Sequence, residues 1–278
     1  FDRYFRNSVE NGMYQDFSHP IKDMNPAHGA GYVRNGKRYP TYSIFKFHEI
    51  QKRLYKIAKK YESPEREIFF IGHSGGSFIL PHGNFWQMTN DGEYLGGVVN
   101  PQKPYLDFFS EGRWRTEFNG RQFGLLCNFI PIEGKGEAYT NEMFALIVPG
   151  AVTWMHHSMI NAKPQKRVFD AYREFGMSDI EKFLPYWNNQ EYLNVNSGHL
   201  KASMLLKAGK ILLLVGNWGN ENLTGEFTLN LKKLALPENV MIKDCDSGQS
   251  LPLNSKGMFR AEIKAKNFKI FLISCTKR

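Results

Sequence analysis

The stretch Glu67-Ile68-Phe69-Phe70-Ile71-Gly72, running directly into His73-Ser74-Gly75-Gly76-Ser77, decides the fold. An apolar run without polar alternation reads as a strand covered on both faces, which is the habit of parallel sheets. The glycine and serine that follow read as the loop leaving it. Upstream, residues 44–61 place Ile44, Phe47, Ile50, Leu54, Ile57, Ala58 and Tyr61 on one side at helical spacing, with Ser43 as N-cap. Lys46, Lys52, Arg53, Lys56, Lys59 and Lys60 fall mostly opposite, as the solvated face of such a helix.

Working outward, residues 1–9 read as the end of a helix, and Gly12-Met13-Tyr14-Gln15-Asp16 as a strand closing on a carboxylate. Further strands are predicted at 85–88, 123–130 and 151–155, and helices near 105–113, 140–148 and 165–175. Strand then helix, repeated, implies right-handed βαβ units and a parallel sheet. About five strands are countable where a closed barrel needs ~8, so three are expected upstream of Phe1. On that count the strand ending at Asp16 is the fourth of the barrel, and the one before Asp91 and Glu93 the sixth.

Near residue 190 the pattern changes. Strand-like runs at 201–206, 210–217, 226–231, 240–244, 258–263 and 268–274 follow one another, separated by Gly, Asn, Pro and Ser clusters. Alternation in Phe227, Leu229, Leu231 and in Phe268, Ile270, Leu272 gives each sheet one buried face. The expected fold class is therefore α/β: residues 1–190 the carboxyl-terminal portion of a (β/α)8 barrel, about strands 4 to 8, and residues 191–278 an antiparallel all-β sandwich.

Totals bound the rest. With 278 residues, 42% hydrophobic and 23% charged, the composition is that of a globular chain of about two domains. The longest apolar run, 211–215, has strand length, well short of the ~20 residues of a membrane helix. Cys127, Cys245 and Cys275 lack CxxC spacing and read as buried free thiols, without zinc site or disulfide framework. A formal charge of +9 favours anionic partners, although scattered lysines on helix faces promise no nucleic-acid stripe.

Polar residues gather at the predicted strand ends. Asp16 opens a loop, 17–42, too rich in Pro, Gly and His for a helix, and its bland reading is a loop cap. Asp91-Gly92 is a turn dipeptide, so Asp91 has a geometric explanation that Glu93 lacks. Trp86 and Tyr94 flank these carboxylates; burial beside either would raise the pKa of Glu93 as an acid requires. His73 follows the deciding strand without the GxSxG pattern of a nucleophilic serine, so a ligand-hydroxyl contact or a loop-organising bond is the better account. Tyr14, His28, Tyr32 and Arg34, with Lys37, Arg38 and Tyr39, supply aromatic surfaces and cations. His156-His157 would point to opposite strand faces, one to the pocket and one inward, so no metal site is indicated.

The runs NGMYQDFS (11–18), NPAHGAGYVRNGKRYPTYSIFKFHEIQKRLY (25–55) and GHSGGSFILPHGNFWQMTNDGEYLGG (72–97) resemble the glycoside-hydrolase-like barrels grouped around glycoside hydrolase family 123. The ending, VGNWGNENLTGEFTLNLKKLAL (215–236) through NFKIFLIS (267–274), is similar to the sandwich that follows the barrel in many glycoside hydrolases. Family 123 catalysis implies an adjacent Asp-Glu pair, and this sequence has none. Carboxylates after strands four and six resemble instead the alpha-galactosidase type of barrel, which implies Asp16 as nucleophile and Glu93 or Asp91 as acid/base.

The resulting expectation is a glycosidase acting on a polysaccharide or glycoconjugate, with catalytic Asp16, Glu93 and Asp91 and substrate contacts from Tyr14, His28, Tyr32, Arg34, His73, Trp86, Tyr94 and His156. No cofactor and no metal are expected. Its partners would be a carbohydrate, anionic if sulfated or uronic, and the rest of the barrel, from upstream sequence or a partner chain, with no nucleic acid and no membrane span. The sequon Asn222-Leu223-Thr224 points to a secreted or periplasmic protein. The alternative is a non-catalytic carbohydrate-binding or structural protein that retains the barrel.

Overall fold

The computed structural model describes residues 1–7, 11–16, 20–73, 80–99, 102–119, 124–131, 136–154, 162–237 and 239–275. Ser74 to Ser77, His156 and His157 lie outside the described residues. The chain forms two compact units, one of Phe1–Tyr94 with Arg121–Ile130, the other of Leu95–Gly120 with Pro131–Arg278.

In the first unit four strands of one sheet run parallel: β1 (Gly12–Gln15), β2 (Phe69–His73), β3 (Met88–Asp91) and β4 (Leu126–Phe129). Gln15 pairs with Gly72, His73 with Asn90, and Asn90 with Asn128. Because the strands are parallel, their carboxyl ends share one edge, and the polar residues that end the apolar runs come level.

The deciding stretch is a strand, shifted to Phe69–His73 and covered fully on one face only, since Phe69 and Ile71 are half-buried; its Phe70 joins Phe5, Ala58, Ile68 and Trp86 in the core. Helix α1 (Ile44–Lys59) covers this core. Its buried stripe runs through Gln51, Leu54, Tyr55 and Ala58, and Ile50, expected inside, is exposed. The shift follows from Tyr55, whose ring packs on Phe70 and Phe85 at centroid distances of 5.9 and 5.6 Å. Ser43 is the N-cap residue but its side chain makes no cap hydrogen bond.

The strand expected at 85–88 begins only at Met88. Phe85 and Trp86 are apolar because they pack, not because they pair. A Cβ on Gly72 would stand 2.2 Å from the Trp86 ring, so glycine is what lets the indole lie against β2.

The second unit holds α2 (Glu137–Ile147), α3 (Ala162–Phe175) and the antiparallel strands β5 (Lys182–Leu184), β6 (Leu193–Val195), β7 (Leu200–Lys207), β8 (Lys210–Asn217), β9 (Leu223–Leu229), β10 (Val240–Asp244), β11 (Ser250–Leu251), β12 (Met258–Ile263) and β13 (Asn267–Cys275). They form a six-stranded sheet in the order β5-β7-β8-β13-β10-β11 and a three-stranded sheet β6-β9-β12. Met204, Leu213, Phe227, Phe259 and Phe271 are among the side chains of their shared core. β8 is buried on both faces, since α2 lies on the side away from that core: a Cβ on Gly216 would meet the Ala145 carbonyl at 2.1 Å.

None of the three cysteines is in a disulfide, none is fully buried, and Cys275 is exposed, because it ends β13 beyond the core. Burial nevertheless pushes the Cys245 thiol up to about 12. Among the described residues no helix is long and apolar enough to cross a membrane.

Candidate functional site

At the carboxyl edge of the parallel strands the side chains converge on His73. Its Nδ1 lies 3.0 Å from Asp16 Oδ1 and its Nε2 lies 3.2 Å from Glu93 Oε2. Asp16 follows β1 directly, His73 ends β2, and Glu93 opens a 3-10 turn (Glu93–Gly97) two residues beyond β3. The His73 side chain is only 9% exposed, whereas those of Asp16 and Glu93 are 55% and 58% exposed. The imidazole is thus nearly buried, and the two carboxylates that flank its ring nitrogens are more than half exposed. Two hydrogen-bond lengths and one ring set an upper limit on the order of 8 Å between the facing carboxyl oxygens.

A polar chain continues from the imidazole. The Tyr14 hydroxyl is 2.8 Å from His73 Nδ1, and it also bonds the Asn90 side chain. Asn128 Nδ2 donates to Asn90 Oδ1 at 2.6 Å. Burial, reinforced by the charges of Asp16 and Glu93 and opposed by Asn90, holds the Tyr14 phenol above its ordinary value, so the hydroxyl keeps its proton at neutral pH. Whichever imidazole nitrogen carries a proton, a carboxylate faces it as acceptor. Asn90 and Asn128 were not singled out in the sequence; the signal they offered is an asparagine near the carboxyl end of a predicted strand.

Other expected site residues are placed differently. Asp91 accepts from its own neighbour, the Gly92 N–H, at 2.8 Å, which is the turn geometry the Asp-Gly dipeptide suggests. Gly92, at φ +114°, allows that turn. Trp86 is 3% exposed, and its indole N–H donates to Gln15 Oε1 at 2.9 Å, so it is a core residue and not a stacking platform. Tyr94 is exposed beside Glu93. His28 is tied to its own loop, 2.9 Å from Asp23 and 3.3 Å from Asn25. Tyr32 stacks on Tyr39 at 5.5 Å, and Arg34 closes the same exposed hairpin, Tyr32–Arg34 with Lys37–Tyr39. Expected contacts from His156 fall outside the described residues. Among the described residues no group of three His, Cys, Asp or Glu side chains could hold a metal ion.

The sequence matches no family model and no curated protein. Among solved structures, a variant of the GH27 β-L-arabinopyranosidase from Geobacillus stearothermophilus, in complex with arabinose, is similar at a TM-score of 0.51 and 12% identity, over 83% of this chain and 55% of that one. α-Galactosidase I from Mortierella vinacea is similar at a TM-score of 0.52 and 8% identity, over 84% of this chain and 65% of that one. The chain therefore spans less than two thirds of the length of either. The likeness is one of fold: an α/β chain with a parallel sheet and an antiparallel β region, of the kind seen in glycoside hydrolases.

Proposed function

We propose that the chain is a glycoside hydrolase acting on a polysaccharide or glycoconjugate, with Asp16 as nucleophile or electrostatic stabiliser and Glu93 as general acid/base. One observation carries the reading: two solvent-exposed carboxylates from the ends of two strands meet on the ring nitrogens of a single buried imidazole. Glycosidic cleavage needs this pairing, one group to protonate the leaving oxygen and one to stabilise the developing oxocarbenium ion. Glu93 would deliver its proton to the glycosidic oxygen while Asp16 meets the anomeric carbon or its charge. His73 would act as a positioning residue, with Tyr14 holding the ring at Nδ1.

In this reading the parallel strands belong to a (β/α) barrel and the antiparallel strands to its accessory sandwich, with Asp16 and Glu93 in the alpha-galactosidase arrangement. Kinship with family 123 and a secreted or periplasmic location remain parts of the same proposal, as does an anionic substrate. A binding protein without turnover is the second reading, favoured by one feature: His73 engages both carboxylates at once.

The test is turnover of a panel of aryl glycosides by the wild-type chain, Asp16→Asn and Glu93→Gln. Either amide should cut kcat by roughly 10²–10⁴-fold with an unchanged melting curve. Rates equal to wild type in both variants would remove these residues from the chemistry. A folded wild type that binds sugar but cleaves none of the panel would favour the second reading.

A further inference from the structure

The second unit carries two cavities, of about 410 and 400 Å³, that share Arg115 and Trp187 in their linings. The Arg115 guanidinium lies over the Trp187 ring, 4.9 Å from its centroid. Lys201, the other cation of the larger cavity, is neutralised by Glu111 at 2.6 Å. Among the described residues no carboxylate lies within ion-pair distance of Arg115. The larger cavity is also walled by Tyr186, whose buried hydroxyl has no hydrogen-bond partner among the described residues. Burial, with the nearby Glu111 charge, pushes that phenol above its ordinary range and keeps it a donor.

A buried donor without a partner is rare in a folded protein and calls for a ligand oxygen or a water. A planar guanidinium without a counter-charge, held in place by stacking, suits a carboxylate bound through two parallel N–H bonds. Trp187 offers apolar surface to both cavities, which suits the C–H face of a pyranose. Gln190 and Asn194 add amides at the larger cavity for hydroxyl groups.

We propose that these cavities form a binding site for an acidic oligosaccharide, a chain containing uronic acid units, with Arg115 gripping the carboxylate. The site shares no residue with the Asp16–His73–Glu93 cluster and does not depend on turnover there.

The test is calorimetric titration of the full chain, carrying Asp16→Asn, with trigalacturonate at ~0.15 M salt, where surface attraction is screened beyond ~8 Å. Arg115→Gln should weaken binding at least tenfold, and Arg260→Gln, which removes the same charge from an exposed position on β12, less than twofold. Arg115→Lys, which keeps the charge and loses the fork, should fall between Arg115→Gln and the parent and guards against a folding defect. Equal losses for Arg115→Gln and Arg260→Gln would reduce the effect to net charge and overturn the proposal. So would absent binding by the parent, unimpaired binding by Arg115→Lys, or equal affinity for neutral xylotriose.

Discussion

β2 and β8 are both apolar runs, β2 with one face buried and the other half-buried, β8 buried on two faces, and both end on a buried polar residue, His73 in one and Asn217 in the other. Their partners differ. The Asn217 amide donates to the carbonyls of Glu221, Ile263 and Lys264 at 2.8, 3.1 and 3.2 Å, and its oxygen accepts from the Gly219 N–H at 2.9 Å. Every one of these is backbone, so Asn217 ties loops together. Among the neighbours of His73 are Asp16, Glu93 and Tyr14, all ionisable. In a parallel sheet such groups collect at one edge. In an antiparallel sheet strand ends alternate, and the polar residues are spent locally. A buried polar residue thus reveals its role by what it bonds.

The widest gap between the two regions should appear in rate. His73→Gln should lower kcat on a cleavable glycoside by about 10²-fold or more, leave KM nearly unchanged and barely move the melting point. A melting loss without a rate loss would make His73 another Asn217. Conversely, Asn217→Ala leaves buried backbone carbonyls unpaired and should cost about 3 kcal/mol in urea unfolding, with kcat per folded molecule intact. A smaller mixed effect is expected from Gly72→Ala, where the added methyl meets Trp86 beneath the site: about 2 kcal/mol of stability, accompanied by a several-fold loss of kcat as the end of β2 shifts.

The mildest test concerns Glu142, a buried carboxyl in α2. Burial holds its pKa above 4.5, opposed by Lys266 and the Leu106 N–H and abetted by Asp107. Since the folded value is the higher one, the stabilisation is full below 4.5 and is lost as pH rises through the folded value. Relative to Glu142→Gln, the wild type should therefore lose thermal stability as the pH rises above 4.5, without a matching change in kcat. The opposite drift would show that Lys266 outweighs burial.

Much of this architecture was legible residue by residue. The run 67–72 announced a strand, which forms at Phe69–His73 with one face only half-buried, 44–61 a helix, and 201–274 a succession of antiparallel strands, because apolar periodicity reflects which faces are hidden from water. Asp16 and Glu93 were legible for a related reason: carboxylates just past apolar runs lack an apolar role. Where the reading slipped, tertiary packing had outweighed local pattern. Trp86 looked like a sugar platform until Gly72 gave its ring a place in the core, and Ile50 yielded its inward position to Tyr55. The strand at 85–88 moved to Met88–Asp91 for the same cause.

Composition, element types and the candidate acids were therefore properties of the chain read in order. That His73 stands between those acids, joined to Tyr14, Asn90 and Asn128, is a matter of register between strands many residues apart. No local pattern encodes that register. It is set by which side chains fill the core, and so only the folded sheet decides which polar groups meet.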